Sequence, residues 1–344
     1  MSQWIIRIVF FLMIVFFGRF LPAAAEIQRI AVLDPVLQPR SLHVQGDRAY
    51  VTEKDAIHIV SMGSGEILGR FGKRGEGPGE FKRTPVLRVY PDVLVVNTWG
   101  KILFYTPEGR YLREMKHRFG RDVGAIPLGD GYVAQKTDFS EKEQQAVQSF
   151  GIYDGSFKLI KTLFESPNPY EIDILPGDKK QPYPVIHDNI SLEVAGERIY
   201  IADSRRGFHF EVYDRNGAPH DDIHVALTPR RVDESFRRKR IADLEAQPWW
   251  GQFKGKLEPV FPEFFPEIRF FTVRDDRIYV QTFVEEGDGV LFRVYDLARR
   301  RMSTVLLPRA CDGDRSLYDI HRGRYLFLRL DDDTDTWELC ACDA

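Results

Sequence analysis

The sequence predicts an all-β fold: a six-bladed β-propeller closed by pairing of the N-terminal strand with the last blade, with a helical and aromatic insert between blades 4 and 5. Three observations predict it. A four-strand pattern recurs six times. The sixth copy stops one strand short. A spare strand, "IQRIAVLD" at residues 27–34, precedes the first copy and can supply the missing outer strand. An open propeller would leave unpaired sheet edges, so closure is expected.

The chain opens on a segment outside the repeats. Arg7 precedes the apolar run "IVFFLMIVFF", Arg19 follows it, and Ala23-Ala24-Ala25 ends the segment. A basic start, a short apolar stretch and small residues have the pattern of a cleavable signal peptide, residues 1–25. The run is about half of the roughly 20 apolar residues that a membrane span needs. No Cys lies near the cleavage point, which argues against a lipid anchor. Residues 26–344 are expected to form one propeller domain, periplasmic or secreted, with no transmembrane segment after cleavage. The chain has 48 Lys and Arg against 51 Asp and Glu; losing Arg7 and Arg19 leaves 46 against 51, a formal charge of −5. Such a domain lacks a basic footprint, so no nucleic-acid partner is expected.

The copies share one grammar. The first runs "SLHVQGDRAYVTEKDAIHIVSMGSGEILGRF" from Ser41, the second "LRVYPDVLVVNTWGKILFYTPEGRYLREMK" from Leu87. The third is "GAIPLGDGYVAQKTDF" followed by "SFGIYDGSFKLIKTLF". The fourth starts at Ile190, the fifth at Ile268, and the sixth is "LYDIHRGRYLFLRLDDDTDTWELCACDA". Each has a short strand, a Gly or Asp turn, an aromatic-aliphatic strand such as "RIYIAD", an alternating strand such as "FHFEVYD", and a last strand after a turn such as "RNG". Short β-rich runs with such punctuation are strands joined by hairpins.

Residues 228–266 break the repeat. Thr228 and Pro229 read as a helix start, and Val232, Phe236, Ile241 and Leu244 lie close to one helical face. The rest is rich in Pro and aromatics, with Trp249, Trp250 and Phe253 as candidates for partner binding or for docking the insert on the ring. Residues 140–147 and 165–185 read as smaller loop excursions.

The stretch "FGKRGEGPGEFKRTP" from Phe71 to Pro85 raises the question of a phosphate loop. The P-loop pattern is incomplete, and no amphipathic helix follows to offer its N-terminus. The expected role is a tight crossover between blades 1 and 2, with Lys73, Arg74, Lys82 and Arg83 as a solvated rim. With the following "VLRVYPDVLVVNTWGKILFYTPEGR", it resembles an NHL-type repeat through Gly75, Gly77, Gly79, Phe81, Pro85 and Asn97. "GEGPGEF" is similar to a motif of bacterial exported six-bladed propellers related to NHL-repeat proteins, and "YIADSRRGFHFEVYDRNG" looks like a second copy. The resemblance implies the same fold. It implies little about activity, because members bind proteins, peptides or small ligands, or have none assigned.

Candidate sites follow from the fold. The first strand of each blade lines the central channel, so Arg40, Arg88, His187, Glu193, Arg269, Tyr318 and His321 are the ligand candidates. Three arginines near one axis suit an anion such as a carboxylate. The alternative is that they pair with Glu193, Glu267 or Asp319, and a one-residue change of register decides which side chains face inward. Asp203 shares a column with Glu53, Asn97, Gln135, Thr282 and Leu328, where bonding to local backbone is the expected role. Asp331, Asp333 and Asp335 imitate the start of a calcium loop, but its Gly and its final Glu are missing, which favours a hairpin tip. No cofactor is predicted; calcium or another divalent metal stays open. Cys340 and Cys342 share one strand face, and either could pair with Cys311. No nucleophile motif and no HExxH is present. The expected function is non-catalytic recognition of a protein, peptide or small ligand at one face or the channel mouth. The alternative is a hydrolase or lyase with a metal or Arg/His site in the channel.

Overall fold

The computed structural model describes residues 26–116, 124–140, 145–167, 180–253, 255–310 and 317–344. The proposed signal peptide and Cys311 lie outside them. The first strand, β1 (Gln28–Val32), stands apart from the first blade. Blade 1 is β2 (Ser41–Gln45), β3 (Arg48–Thr52), β4 (Ile57–Ser61) and β5 (Ile67–Phe71). Blade 2 is β6 (Val86–Val89), β7 (Leu94–Thr98), β8 (Lys101–Tyr105) and β9 (Tyr111–Lys116). Blade 3 is β10 (Ala125–Leu128), β11 (Gly131–Ser140), β12 (Gln145–Tyr153) and β13 (Leu159–Pro167). β14 (Gln181–Pro184) lies outside the blades. Blade 4 is β15 (Ile190–Ala195), β16 (Arg198–Asp203), β17 (Phe208–Asp214) and β18 (Pro219–Val225). The insert carries α1 (Glu234–Glu245) and β19 (Leu257–Val260). Blade 5 is β20 (Phe270–Arg274), β21 (Arg277–Glu286), β22 (Gly289–Asp296) and β23 (Arg301–Pro308). Blade 6 is β24 (Tyr318–His321), β25 (Arg324–Asp331) and β26 (Thr336–Asp343), completed by β1.

Every blade is a four-stranded antiparallel sheet, and the fold is a six-bladed propeller. The closure is as the sequence predicts: β1 pairs antiparallel with β26. Blades pack face to face, so a middle strand is covered on both sides. That is why β7 and β8 are buried at every position and read as continuous apolar runs. The core is divided among the blade interfaces; Tyr50, Ile59, Leu87 and Leu103 fill the one between blades 1 and 2.

The glycine-rich stretch is the crossover from β5 to β6. Phe81 is buried beneath it, and its ring lies where a Cβ on Gly72 would go, at 2.3 Å. Gly72 also has φ +81°, so both space and backbone demand glycine. The buried Lys101 ammonium donates to the carbonyl of Gly77 at 2.7 Å and pairs with Glu114 at 3.1 Å. The expected rim cations are partly engaged: Lys73 pairs with Glu80, Lys82 with Glu76, and Arg83 lies over Trp99.

Three local expectations are corrected. The helix starts later than Thr228, because Asp233 is the N-cap and accepts from the backbone N–H of Phe236 at 2.9 Å. Val232 therefore precedes the helix, although it packs beside Phe236 and Phe265. The described residues of 140–147 are strand, not loop, since β11 and β12 pair as far as Ser140 and Gln145. The third correction joins two excursions. β14 pairs in parallel with β19, so residues 181–184 and the insert form one small sheet.

Antiparallel order puts every blade-to-blade crossover on the face where innermost strands begin. Residues 180–189, leading into β15, and the 226–269 connection share that crossover face, which explains how β14 and β19 can meet. Asp331 to Asp335 is the expected hairpin tip, between β25 and β26. Asp331 accepts there from the backbone N–H of Asp333 and the Thr334 hydroxyl.

Candidate functional site

The six innermost strands enclose a central channel with a cavity volume of about 1290 Å³. Burial settles the register. In β2, Leu42 and Val44 are buried in the core while Ser41, His43 and Gln45 alternate with them toward the channel. In β20, Phe271 and Val273 are core, and Thr272 and Arg274 turn inward. In β6, Leu87 is core and Arg88 lines the channel.

A belt of charge crosses three blade interfaces inside this channel. The Arg274 guanidinium reaches Glu193 of blade 4 at 2.6 Å and Asp319 of blade 6 at 3.5 Å. Glu193 also accepts from the Thr272 hydroxyl at 3.0 Å. Asp319 accepts from the backbone N–H of Val44, in blade 1, at 2.7 Å and from that of Ile320 at 2.8 Å. Burial pushes the Asp319 carboxyl above its ordinary range, although Arg274 and the two N–H groups pull the other way. Burial disfavours the Arg274 charge, but Asp319 and Glu193 outweigh it and raise its pKa, so it stays a guanidinium. Tyr90 of blade 2 also lines the channel, and burial moves its phenol up to about 12, so it keeps its O–H.

The sequence candidates are only partly brought together. Arg40, Arg88, Glu193 and His321 line the channel. Tyr318 touches it but belongs to the core, its ring against Phe292 and Tyr325 at 5.5 and 5.2 Å. His187 is not part of the lining; it stands edge-on to Tyr183 at 5.8 Å, and burial lowers its pKa, favouring neutral imidazole. Arg269 is also displaced, stacked over Phe283 at 5.3 Å one residue before β20 begins. Glu267, weighed as a channel partner, pairs with Arg293. Asp319, weighed as a pairing partner, does pair inside the channel, with Arg274; Arg274, His43 and Tyr90 were not among the candidates.

No family model matches the chain, and no curated protein matches it. Among solved structures it is similar to the Pan2 WD40 domain of Neurospora crassa, at 8% identity, with a TM-score of 0.47, covering 93% of this chain and 96% of that one. It is also similar to the AfRom2 CNH domain, at 9% identity and a TM-score of 0.42, covering 93% and 99%. Neither likeness is strong enough to carry an argument, and the six-bladed architecture stands on the strand pairing itself.

The second candidate surface is the insert. Leu244, Trp250 and Leu257 are buried together, with Tyr183, Val185 and Phe253 against them. Trp250 and Phe253 thus dock the insert on itself and on β14. Trp249 differs: it touches Tyr183 and Phe253 but remains 39% exposed. Val260 and Phe264 are also exposed, with Arg231 over the Phe264 ring at 5.3 Å.

In the Asp203 column, Asp203 itself bonds local backbone, whereas Asn97 and Glu53 bond backbone distant in sequence. Asn97 exchanges two hydrogen bonds with the backbone of Ala125 in the next blade, both at 3.2 Å. Glu53 accepts from the backbone N–H groups of Leu37 and Gln38, and Asp203 from that of Arg205. Cys340 and Cys342 are buried free thiols. Among the described residues, no group of three His, Cys, Asp or Glu side chains is placed to hold a metal.

Proposed function

We propose that the chain is an exported, non-catalytic binding propeller, related to the NHL-type propellers of bacteria, that takes a protein or peptide on its crossover face. One observation carries this reading. Two long crossovers on that face are joined by the β14–β19 pairing, and the joined insert leaves Trp249, Val260 and Phe264 exposed. None of these three residues belongs to the packed core between blades, whereas binding surfaces favour exposed aromatics. Export is supported by the pattern of residues 1–25.

A photo-crosslinking residue at position 249 or 264, in the protein expressed in its own cell, tests the reading. Discrete adducts from these positions, and none from position 276 at the opposite channel mouth, are expected. Adducts from position 276 alone, or from none of the three, would overturn it.

The enzymatic alternative has one observation in its favour: Arg88, His43 and Tyr90 line a large channel beside the charged belt. It requires turnover of a substrate panel that Arg88→Ala abolishes. Turnover unaffected by that change excludes a channel site using Arg88.

A further inference from the structure

The outer strands of the blades are not equivalent. The pairings of β5, β9, β13, β18 and β1 with their neighbours each carry a register shift. β23 pairs with β22 from Arg301 to Pro308 without one. Bulges turn an outer edge away from foreign strands, whereas a long regular edge is a template for pairing.

The direction of its free groups is fixed. Arg309, the next residue, donates its backbone N–H to the Asp288 carbonyl at 2.9 Å, so position 309 faces β22. Antiparallel alternation turns Ser303, Val305 and Leu307 the same way and Met302, Thr304, Leu306 and Pro308 outward. Among the described residues, the outward N–H groups of Met302, Thr304 and Leu306 have no backbone partner.

We propose that β23 pairs with β23 of a second copy of this chain, antiparallel, about a two-fold axis through Thr304. The edge's own sequence selects this occupant. With Thr304 opposite itself, Met302 falls opposite Leu306, so each outward N–H of one strand meets an outward carbonyl of the other. Sliding the register loses a donor. On one side Pro308 has no N–H, and on the other Arg300 has left the strand at φ +51°. Arg301, the single charge of the strand, comes opposite Leu307 and not opposite its copy, so no like charges meet. Such an isologous contact closes on itself and gives a dimer, not a fibre.

Sedimentation equilibrium of the purified protein over a concentration series tests this. A monomer–dimer equilibrium is expected. Thr304→Val keeps the N–H and should leave it unchanged. Thr304→Pro removes an outward donor without touching the β22 ladder and should weaken dimerisation about tenfold or more, a loss of about 1.4 kcal/mol or more. Thr304→Lys sets two ammonium groups on the axis and should do the same, which guards against a proline variant that folds poorly. A monomer at every concentration overturns the proposal, as does a dimer undiminished by both Thr304→Pro and Thr304→Lys. An edge used by an unrelated extended peptide would give the first of these results.

Discussion

Arg274 holds the inside of the ring together. It supplies the positive charge between Glu193 and Asp319, which belong to blades on either side of its own. Removing one member of a buried ion pair leaves the other uncompensated, at about 3–5 kcal/mol for full burial. Arg274 keeps 31% of its side chain exposed, so about 2–3 kcal/mol is expected for Arg274→Ala at neutral pH. The pH dependence has a definite sign. A carboxyl whose folded pKa is raised favours the folded state below its unfolded pKa, and that contribution is lost as pH rises through the folded value. Burial already raises Asp319, and loss of Arg274 raises it further. The deficit of Arg274→Ala should therefore shrink as pH falls from 7 toward the ordinary carboxylate range. Chemical denaturation at several pH values checks this, and a deficit independent of pH would show that packing, not charge, is lost.

At the scale of single elements, two substitutions test how local sequence sets local structure. Asp233→Ala removes the side-chain acceptor at the start of α1 and should cost about 1 kcal/mol, read as faster amide exchange in the first turn of that helix. Gly72→Ala should cost more. Its φ of +81° strains any Cβ, and that Cβ would lie 2.3 Å from the Phe81 ring. A melting temperature unchanged by Gly72→Ala would contradict the tight crossover. These elements also show what the sequence made legible. The blades were legible because one strand-and-turn grammar recurs six times, and the gap in the sixth copy pointed to β1. The crossover at Gly72 was legible because glycines without a following helix exclude a phosphate loop. The β14–β19 pair was not, since "QPYP" and "LEPV" contain prolines that argue against strands and lie far apart in the chain. The channel lining was half legible. Arg88 and Glu193 sit inside obvious strands, but Arg274 ends β20 beside the turn residues Asp275 and Asp276 and reads as part of that turn. Inward direction depends on an alternation that only the neighbouring blades fix.

For the whole molecule the decisive contact is the closure of blade 6. β1 is mostly exposed, yet its neighbourhood is well anchored: Leu33 is fully buried and donates its backbone N–H to Trp337, and the Trp337 indole donates to the Leu37 carbonyl. The polar centre of the clasp is the buried Glu338 on β26. It pairs with Arg29 of β1 at 2.7 Å and with Arg329 of β25 at 2.6 Å. The Arg29 hydrogen bond holds the Glu338 carboxyl below its ordinary range against the opposing effect of burial, and Arg329 adds to it. A depressed carboxyl contributes stability above its unfolded pKa, and that contribution disappears as pH falls through the folded value. Acid should thus weaken the clasp, in the direction opposite to Asp319. Two measurements separate the clasp from the rest of the ring. Deleting residues 27–34 should lower the melting temperature of the entire propeller in one cooperative transition, because an open blade 6 exposes β26 and uncovers its core contacts. Glu338→Gln should lower stability at neutral pH and flatten the acid limb of the stability–pH curve below about 4.5, the ordinary glutamate range. An unchanged melting temperature after the deletion would mean that five complete blades and an open sixth hold the ring without β1.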